Sequence, residues 1–268
     1  MKSQGFQSLP WKFRGLTGSA VALYVYLYIP LIILIVFSFN AGRMATIWEG
    51  FSLRWYADVV QSAPFRAAAV NSLILASIAA TLATALATMA VLGFRGRPIR
   101  GQSLMIPFLS FPLVVPEIVT AVATLIFFIS VGIPLGMIGL IAAHTVFCIP
   151  FAFITIKARM DTMDTTLEQA ANDLYATPRA AFFAVTLPLL WPAIVAGFIL
   201  AFIVSLDDFV ISLFLAGPSS TTLPIFMFGM MRLGGTPAVN AVSTILLVVT
   251  VSFVLIAAWV NQRQQKRQ

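Results

Sequence analysis

Six long apolar stretches dominate this sequence of 268 residues. A helix needs about 20 residues to cross the hydrocarbon core of a membrane, and each stretch reaches that length. Backbone groups in lipid must find their hydrogen-bond partners within the protein, so such stretches fold as helices. The six stretches lie near 18–39, 67–93, 103–128, 135–156, 189–214 and 238–260. The pattern predicts an all-α, polytopic membrane protein with six transmembrane helices in a single domain, 1–268.

The composition excludes a water-soluble protein and gives no sign of a metal site. Hydrophobic residues make up 60% of the chain and charged residues only 9%, which leaves too little polar surface to cover a soluble domain. One cysteine, Cys148, and one histidine, His144, cannot build a zinc site alone. We interpret Cys148 as a small core residue and His144 as a polar group that packs between helices or lines a pore. No catalytic residue is expected.

The basic residues predict the orientation of the chain. Of the 16 lysines and arginines, 12 fall in the N-terminal segment, the second and fourth connections and the C-terminal segment. Positive charge is enriched in cytoplasmic segments, so we expect both termini in the cytoplasm. The net charge of +7 therefore reports topology and does not indicate a nucleic-acid partner.

Three acids lie within the predicted spans. Glu117, Asp207 and Asp208 occupy the regions 101–156 and 180–231, which contain no lysine or arginine. Burying an ionised carboxylate in the membrane costs about 2.5–3.5 kcal/mol. A cationic substrate, a basic residue from a partner or a distant part of the fold, bound water or protonation of the acid would each offset this cost. These acids are the candidate substrate-pathway residues.

Each acid also has a structural interpretation. Glu117 follows Pro116, where a broken helix would begin again. Its carboxylate would then cap the N-terminus of the new helix. Asp207 and Asp208 are expected on one helix, the span 189–214, where they point about 100° apart, so at most one of them faces a pathway squarely.

A polar segment interrupts the apolar pattern in the fourth connection, which we expect in the cytoplasm and which includes 158–188. Thr165-x-x-Glu168 is a capping-box pattern that predicts the start of a short helix. Thr177-Pro178 reads as the N-cap and first-turn proline of a second short helix. In the first short helix, apolar residues recur at helical spacing: Leu167, Ala170, Ala171 and Leu174.

The segment "EQAANDLYATPRAAFFAVTLPLLWPAI", 168–194, resembles the EAA loop of ABC-transporter permeases. The residues that carry the match are Glu168, Ala170, Ala171, Asp173, Leu174, Ala176, Leu187 and Pro188. The resemblance implies that the loop docks on an ATPase through the helix that bears Glu168. Tyr175 stands where the family usually has glycine. A tyrosine, unlike glycine, would be strained in a left-handed turn. Either the turn is right-handed or a partner surface holds it. The residues assigned to ATPase coupling are Glu168, Ala170, Ala171, Asp173, Leu174, Tyr175 and Ala176.

Four further stretches resemble the spermidine/putrescine branch of that family. They lie at 27–40, 48–60, 205–224 and 237–248. The resemblance implies the type I (MetI-like) importer permease fold in the bacterial inner membrane. It also implies three kinds of protein partner: an ATPase dimer, a second and different permease, and a periplasmic polyamine-binding protein. The chain would hold no cofactor, since ATP and magnesium would bind to the ATPase.

Motifs for chemistry within this chain are absent from the sequence. It contains no phosphate-binding G-x-x-x-x-G-K-[ST] string and neither H-E-x-x-H nor G-x-S-x-G. Energy must come from another chain or from an ion gradient. The residues alone therefore leave four functions possible. They are an importer permease for polyamines, a permease for another substrate, an ion-coupled carrier of cations and a non-transporting scaffold.

Overall fold

The computed structural model describes residues 14–95, 101–164, 166–234 and 236–265. Within these residues the chain is helical, and the only β contact is one isolated antiparallel bridge between Asn40 and Phe51. The helices are α1 (Arg14–Ser38), α2 (Arg54–Gln61), α3 (Ala63–Phe94), α4 (Gln102–Ser110), α5 (Glu117–Val131), α6 (Met137–Thr162), α7 (Thr166–Asp173), α8 (Pro178–Ala181), α9 (Leu187–Asp207), α10 (Val210–Leu215), α11 (Leu223–Arg232) and α12 (Pro237–Gln265).

Five helical segments in the described residues are long and apolar enough to cross a membrane. They are Thr17–Ser38, Ala63–Phe94, Met137–Thr162, Pro178–Asp207 and Pro237–Leu255. A sixth span forms if α4 and α5 are counted as one bent pair. The predicted stretches 18–39, 67–93, 135–156 and 238–260 each overlap one continuous helix.

The third predicted stretch, 103–128, is not one straight helix. A short 3₁₀ turn, Phe111–Leu113, follows α4, and α5 begins at Glu117 after a bend of 103°. Pro112 lies inside the 3₁₀ turn and Pro116 stands directly before α5. Proline lacks the backbone N–H that an uninterrupted helix needs and clashes with the preceding turn, which explains the break.

The core of the bundle is formed by α3, α6 and α9. The side of α3 that faces α6 and α9 is built from small residues that are fully buried, among them Ala76, Ala80, Ala83 and Ala87. Small side chains let helix backbones approach closely in a membrane protein. The alanine-rich second apolar stretch, 67–93, therefore forms a central packing helix of the bundle.

The outer helix α1 packs against α12 and is exposed along most of its length. Its end is held by Asn40, a fully buried residue that donates to the carbonyls of Met44 and Ile47 and accepts from the N–H groups of Gly42 and Glu49. One amide therefore shapes the connection from α1 to α2.

Gly197 lets α9 approach α6 closely. A Cβ atom built at Gly197 would lie 3.3 Å from the carbonyl oxygen of Ala152 and 3.3 Å from Cγ1 of Ile156. Backbone cannot move aside as easily as a flexible side chain, so a larger residue would force the two helices apart.

We predict that Gly197→Leu lowers the free energy of unfolding by about 1–3 kcal/mol through overpacking. Gly93→Leu is the matched control, because a Cβ at Gly93 meets nothing within 4 Å. Thermal unfolding of the two detergent-purified variants measures the difference. Equal unfolding temperatures would contradict the close packing of α6 and α9.

Candidate functional site

A helix break separates the two adjacent aspartates. Asp207 is the last residue of α9, Asp208 has an extended backbone with φ −65° and ψ 122°, and α10 begins at Val210. The prediction that Asp207 and Asp208 lie on one continuous helix is therefore wrong. The break, rather than rotation along a helix, gives the carboxylates different surroundings: Asp207 is exposed and Asp208 is 6% exposed.

Asp208 belongs to a buried polar network that joins α6, α9 and α10. Its Oδ1 accepts the N–H of Ser212 at 3.0 Å and lies 3.4 Å from Nε2 of His144. The Ser212 hydroxyl is 3.2 Å from the same Nε2, and Nδ1 of His144 is hydrogen-bonded to the Ser205 hydroxyl at 2.9 Å. All four residues are buried. The network satisfies polar groups at the break between α9 and α10, where the helical hydrogen bonds stop.

The second break in the bundle brings Glu117 to the same place. Glu117 is the first residue of α5 and is half-buried, and its carboxyl group lies close enough to that of Asp208 for the two to interact. The Oδ2 atom of Asp208 is buried and accepts no hydrogen bond from the described residues. Two ionised carboxylates in contact would repel in a medium of low dielectric constant, so such a pair must share a proton or be neutralised by a positive group. A positive group placed at the pair would therefore stabilise both carboxylates.

The structure thus brings together two of the three predicted pathway acids. Asp207 is next to Asp208 in sequence but forms no hydrogen bond or ion pair within the described residues. The interpretation of His144 as a helix-packing group is confirmed, while its two serine partners were not predicted. No local pattern links them, since His144 is separated from Ser205 by 61 positions and from Ser212 by 68.

The polar connection forms a helical hairpin, α7 and α8. The N–H of Thr166 donates to Oδ1 of Asp164 at 2.9 Å at the start of α7, and this hydrogen bond lowers the pKa of Asp164. Thr165, on which the predicted capping box depends, lies outside the described residues. The predicted cap of the second helix is confirmed, because the Thr177 hydroxyl accepts the N–H of Ala180 at 3.3 Å. A π-helical turn, Phe182–Thr186, then leads without a break into α9.

The turn after α7 is left-handed at Tyr175. This residue has φ 59°, and the N–H of Ala176 reaches back to the carbonyl of Ala171 at 3.0 Å. A left-handed residue followed by this hydrogen bond is a Schellman-type helix end. The alternative of a right-handed turn is therefore wrong. Tyrosine in this conformation costs about 1–2 kcal/mol relative to the right-handed one.

The residues assigned to coupling divide between two faces of the hairpin. Ala170, Asp173, Leu174 and Tyr175 are exposed, with Leu174 and Tyr175 at 82% and 96%. The remaining three, Glu168, Ala171 and Ala176, are half-buried. The Glu168 carboxylate accepts hydrogen bonds from Arg95 and Thr186. An exposed apolar face next to a turn of this kind can receive another protein, whereas the Glu168 face rests on the bundle.

Residues 85–266 match a family described as "Binding-protein-dependent transport system inner membrane component". The chain is 37% identical over 252 residues to the putrescine transport system permease protein PotI of Escherichia coli K12, covering 91% of this chain and 89% of PotI. It is also 37% identical over 254 residues to the spermidine/putrescine transport system permease protein PotC of the same strain, covering 93% of this chain and 94% of PotC.

Solved structures of ABC transporters share the fold. A bacterial alginate transporter, crystallised with its periplasmic protein bound to an alginate pentasaccharide, aligns with a TM-score of 0.70 at 16% identity, covering 94% of this chain and 93% of that chain. The MetNI methionine transporter aligns with a TM-score of 0.62 at 16% identity, covering 76% and 99%. The predicted fold class is confirmed, and the chain is a multi-pass inner-membrane protein.

We predict that Asp208→Ala destabilises the folded protein by about 1–3 kcal/mol, because it leaves the buried N–H of Ser212 without its acceptor and removes the carboxylate beside the His144 imidazole. Asp207→Ala is the neighbouring control and should change the unfolding temperature much less, since its side chain is exposed. Thermal unfolding in one detergent compares them. An equal loss in both variants would argue against the network around His144.

Proposed function

This chain belongs to the family of binding-protein-dependent inner-membrane transport components, and from that premise we propose that it is the permease subunit of an ATP-driven polyamine importer. Putrescine and spermidine are the substrates in the names of its relatives PotI and PotC. In this proposal the chain forms half of the translocation pathway and both of its termini lie in the cytoplasm. It has no ATPase activity of its own.

Apart from the names of the relatives, the observation that supports a cationic substrate is the carboxyl pair of Glu117 and Asp208. Two acids close together in an apolar bundle favour a ligand with positive charge. Polyamines carry protonated amines separated by methylene chains, which suits acids set among apolar side chains. We assign the substrate pathway to Glu117, Asp207 and Asp208, with exposed Asp207 as the acid most accessible to a passing cation.

The partners follow from the family and the exposed hairpin. The ATPase dimer docks on the exposed surface formed by α7 and the turn after it, which presents Leu167, Leu174 and Tyr175, and supplies ATP and magnesium. A second, different permease completes the pathway. A periplasmic polyamine-binding protein delivers the substrate to the opposite side.

We predict that vesicles containing the chain with its co-purifying permease and ATPase subunits take up labelled putrescine only with ATP. Excess spermidine should compete with putrescine, whereas a neutral sugar should not. Vesicles with this chain alone, under a proton or sodium gradient, should take up none. Gradient-driven uptake by the chain alone would indicate a secondary carrier. ATP-driven uptake of a different solute, unaffected by polyamines, would indicate a permease for another substrate.

We also predict that Glu117→Gln and Asp207→Asn each raise the half-saturating putrescine concentration by about tenfold, the change that a lost charge contact of roughly 1.4 kcal/mol gives. Asp161→Asn is the control, because this exposed acid pairs with Lys157 on the same helix and lies at the hairpin end of the bundle. Initial uptake rates at several putrescine concentrations measure the effect. Unchanged half-saturation in both pathway variants would remove these acids from the pathway.

A further inference from the structure

We propose that His144 is a positioning residue for Asp208. Together with Ser212 it anchors one oxygen of the Asp208 carboxylate, and it thereby leaves the other oxygen for the cationic substrate. The proposal rests on the proposed function, in which Asp208 lines the substrate pathway. It gives His144 an effect on substrate affinity, which a residue that only fills space between helices does not have.

The two oxygen atoms of the Asp208 carboxylate have different surroundings. Oδ1 accepts the N–H of Ser212 at 3.0 Å and lies 3.4 Å from Nε2 of His144. Oδ2 is buried and has no hydrogen-bond partner among the described residues. A buried oxygen without a donor is costly, so it favours the arrival of a group that can donate to it. A protonated amine is such a group.

The imidazole ring of His144 is held at both of its nitrogen atoms. Nδ1 is hydrogen-bonded to the hydroxyl of Ser205 on α9 at 2.9 Å, and Nε2 lies 3.2 Å from the hydroxyl of Ser212 on α10. All three residues are buried. His144, on α6, therefore bridges the two helices on either side of the break at Asp208, and its ring is fixed in one orientation.

The surroundings of the ring indicate which nitrogen carries the proton. A neutral imidazole has one N–H, and its other nitrogen is an acceptor. Nε2 lies beside an oxygen of Asp208 that accepts hydrogen bonds, so a proton on Nε2 attracts this oxygen, whereas a lone pair there repels it. Nδ1 then accepts a hydrogen bond from the Ser205 hydroxyl. Ser205 thus selects the Nε2–H tautomer, in which the ring presents its donor to the anchored side of the carboxylate.

His144 acts on the substrate only through Asp208. Its side chain is completely buried, and it contacts Asp208 at Oδ1, the oxygen already bound by Ser212. Loss of this contact frees the carboxylate to turn, so that Oδ2 is no longer held ready for a cation. The expected consequence is weaker binding of the cation, because part of the binding energy is then spent on ordering the acid.

The first test measures equilibrium binding of labelled putrescine to the purified complex of the two permeases and the ATPase. The periplasmic binding protein is left out, so that the dissociation constant reports the membrane site alone. We expect His144→Leu and Ser205→Ala each to raise this constant by about three- to tenfold, the range that loss of one buried hydrogen bond gives. His144→Gln keeps a donor near the position of Nε2 and should stay within about twofold of the unaltered chain.

An unchanged dissociation constant in both His144→Leu and Ser205→Ala would overturn the positioning role and leave the proposed function standing. Asp208→Asn separates the two, because it removes the charge of the pathway acid itself. If Asp208→Asn also binds putrescine as well as the unaltered chain does, or if the unaltered complex binds none at millimolar putrescine, the pathway site of the proposed function fails together with the positioning role.

A double variant tests whether His144 acts through Asp208. Two residues that act through one contact are not additive. His144→Leu should therefore weaken binding in the unaltered chain but cause no further loss when it is added to Asp208→Asn. Additive losses would show that His144 contributes independently of Asp208, contrary to the proposal.

Ser72→Ala is the matched control for the loss of a buried serine hydroxyl. Ser72 is 3% exposed, and its hydroxyl accepts the N–H of Leu223 at 2.7 Å, which joins α3 to α11. Like Ser205→Ala, this variant loses one buried hydrogen bond between helices, so the two should lower the unfolding temperature to a similar extent. Only Ser205→Ala should weaken putrescine binding. Equal weakening in both would mean that a general loosening of the bundle explains the effect, and the positioning role would be rejected.

The second test reads the tautomer directly. His144 is the single histidine of this chain, so isotopic labelling of histidine nitrogen gives one imidazole spectrum when the full chain is purified without a histidine tag. In nitrogen magnetic resonance we expect a proton on Nε2 and none on Nδ1, and a mixture of the two tautomers in Ser205→Ala. A proton on Nδ1 alone would contradict the proposed orientation. Protons on both nitrogens would make His144 a counter-ion of the acids, which also excludes the positioning role.

Discussion

A bilayer offers no hydrogen bonds to an interrupted helix, so a membrane bundle can break its helices only where the protein satisfies the freed backbone groups. In the part of the chain that the structure describes, two such breaks lie before Glu117 and at Asp208, and both occur beside polar side chains. At the second break the Asp208 carboxylate accepts the N–H of Ser212 and lies against His144. The same requirement therefore explains why the two acids are neighbours: the breaks need polar partners, and the acids need a shared polar environment.

The tight core makes these breaks possible without loosening the bundle. Alanines of α3 and Gly197 of α9 let three helices pack at backbone distance, so α6 presents His144 to the break at a fixed position. Protein interiors this dense transmit displacements instead of absorbing them. A polar network supported by such packing is rigid, which suits a site that must hold two carboxyl groups together.

The sequence predicts the helices far better than the contacts between them. Apolar length is a local property, and the prolines at 112 and 116 give a local signal for the first break. Nothing comparable marks Asp208, because its break is stabilised by His144 from another helix. The hairpin of α7 and α8 also combines local and tertiary features. Thr177-Pro178 predicts the cap of α8 from the sequence alone. The left-handed Tyr175 and the contact of Glu168 with Arg95 depend on tertiary structure.

One continuous helical segment, Pro178–Asp207, links the two sites. It begins in the hairpin, contains Thr186 at the Glu168 carboxylate, and ends at the break that exposes Asp207 and buries Asp208. A helix rises about 1.5 Å per residue, so these 30 residues extend from the hairpin through the bundle to the acids. Since Gly197 keeps this segment against α6, the shift would be shared by the helix that carries His144. We therefore expect that movement at the hairpin is passed along this segment to the acid network at its other end.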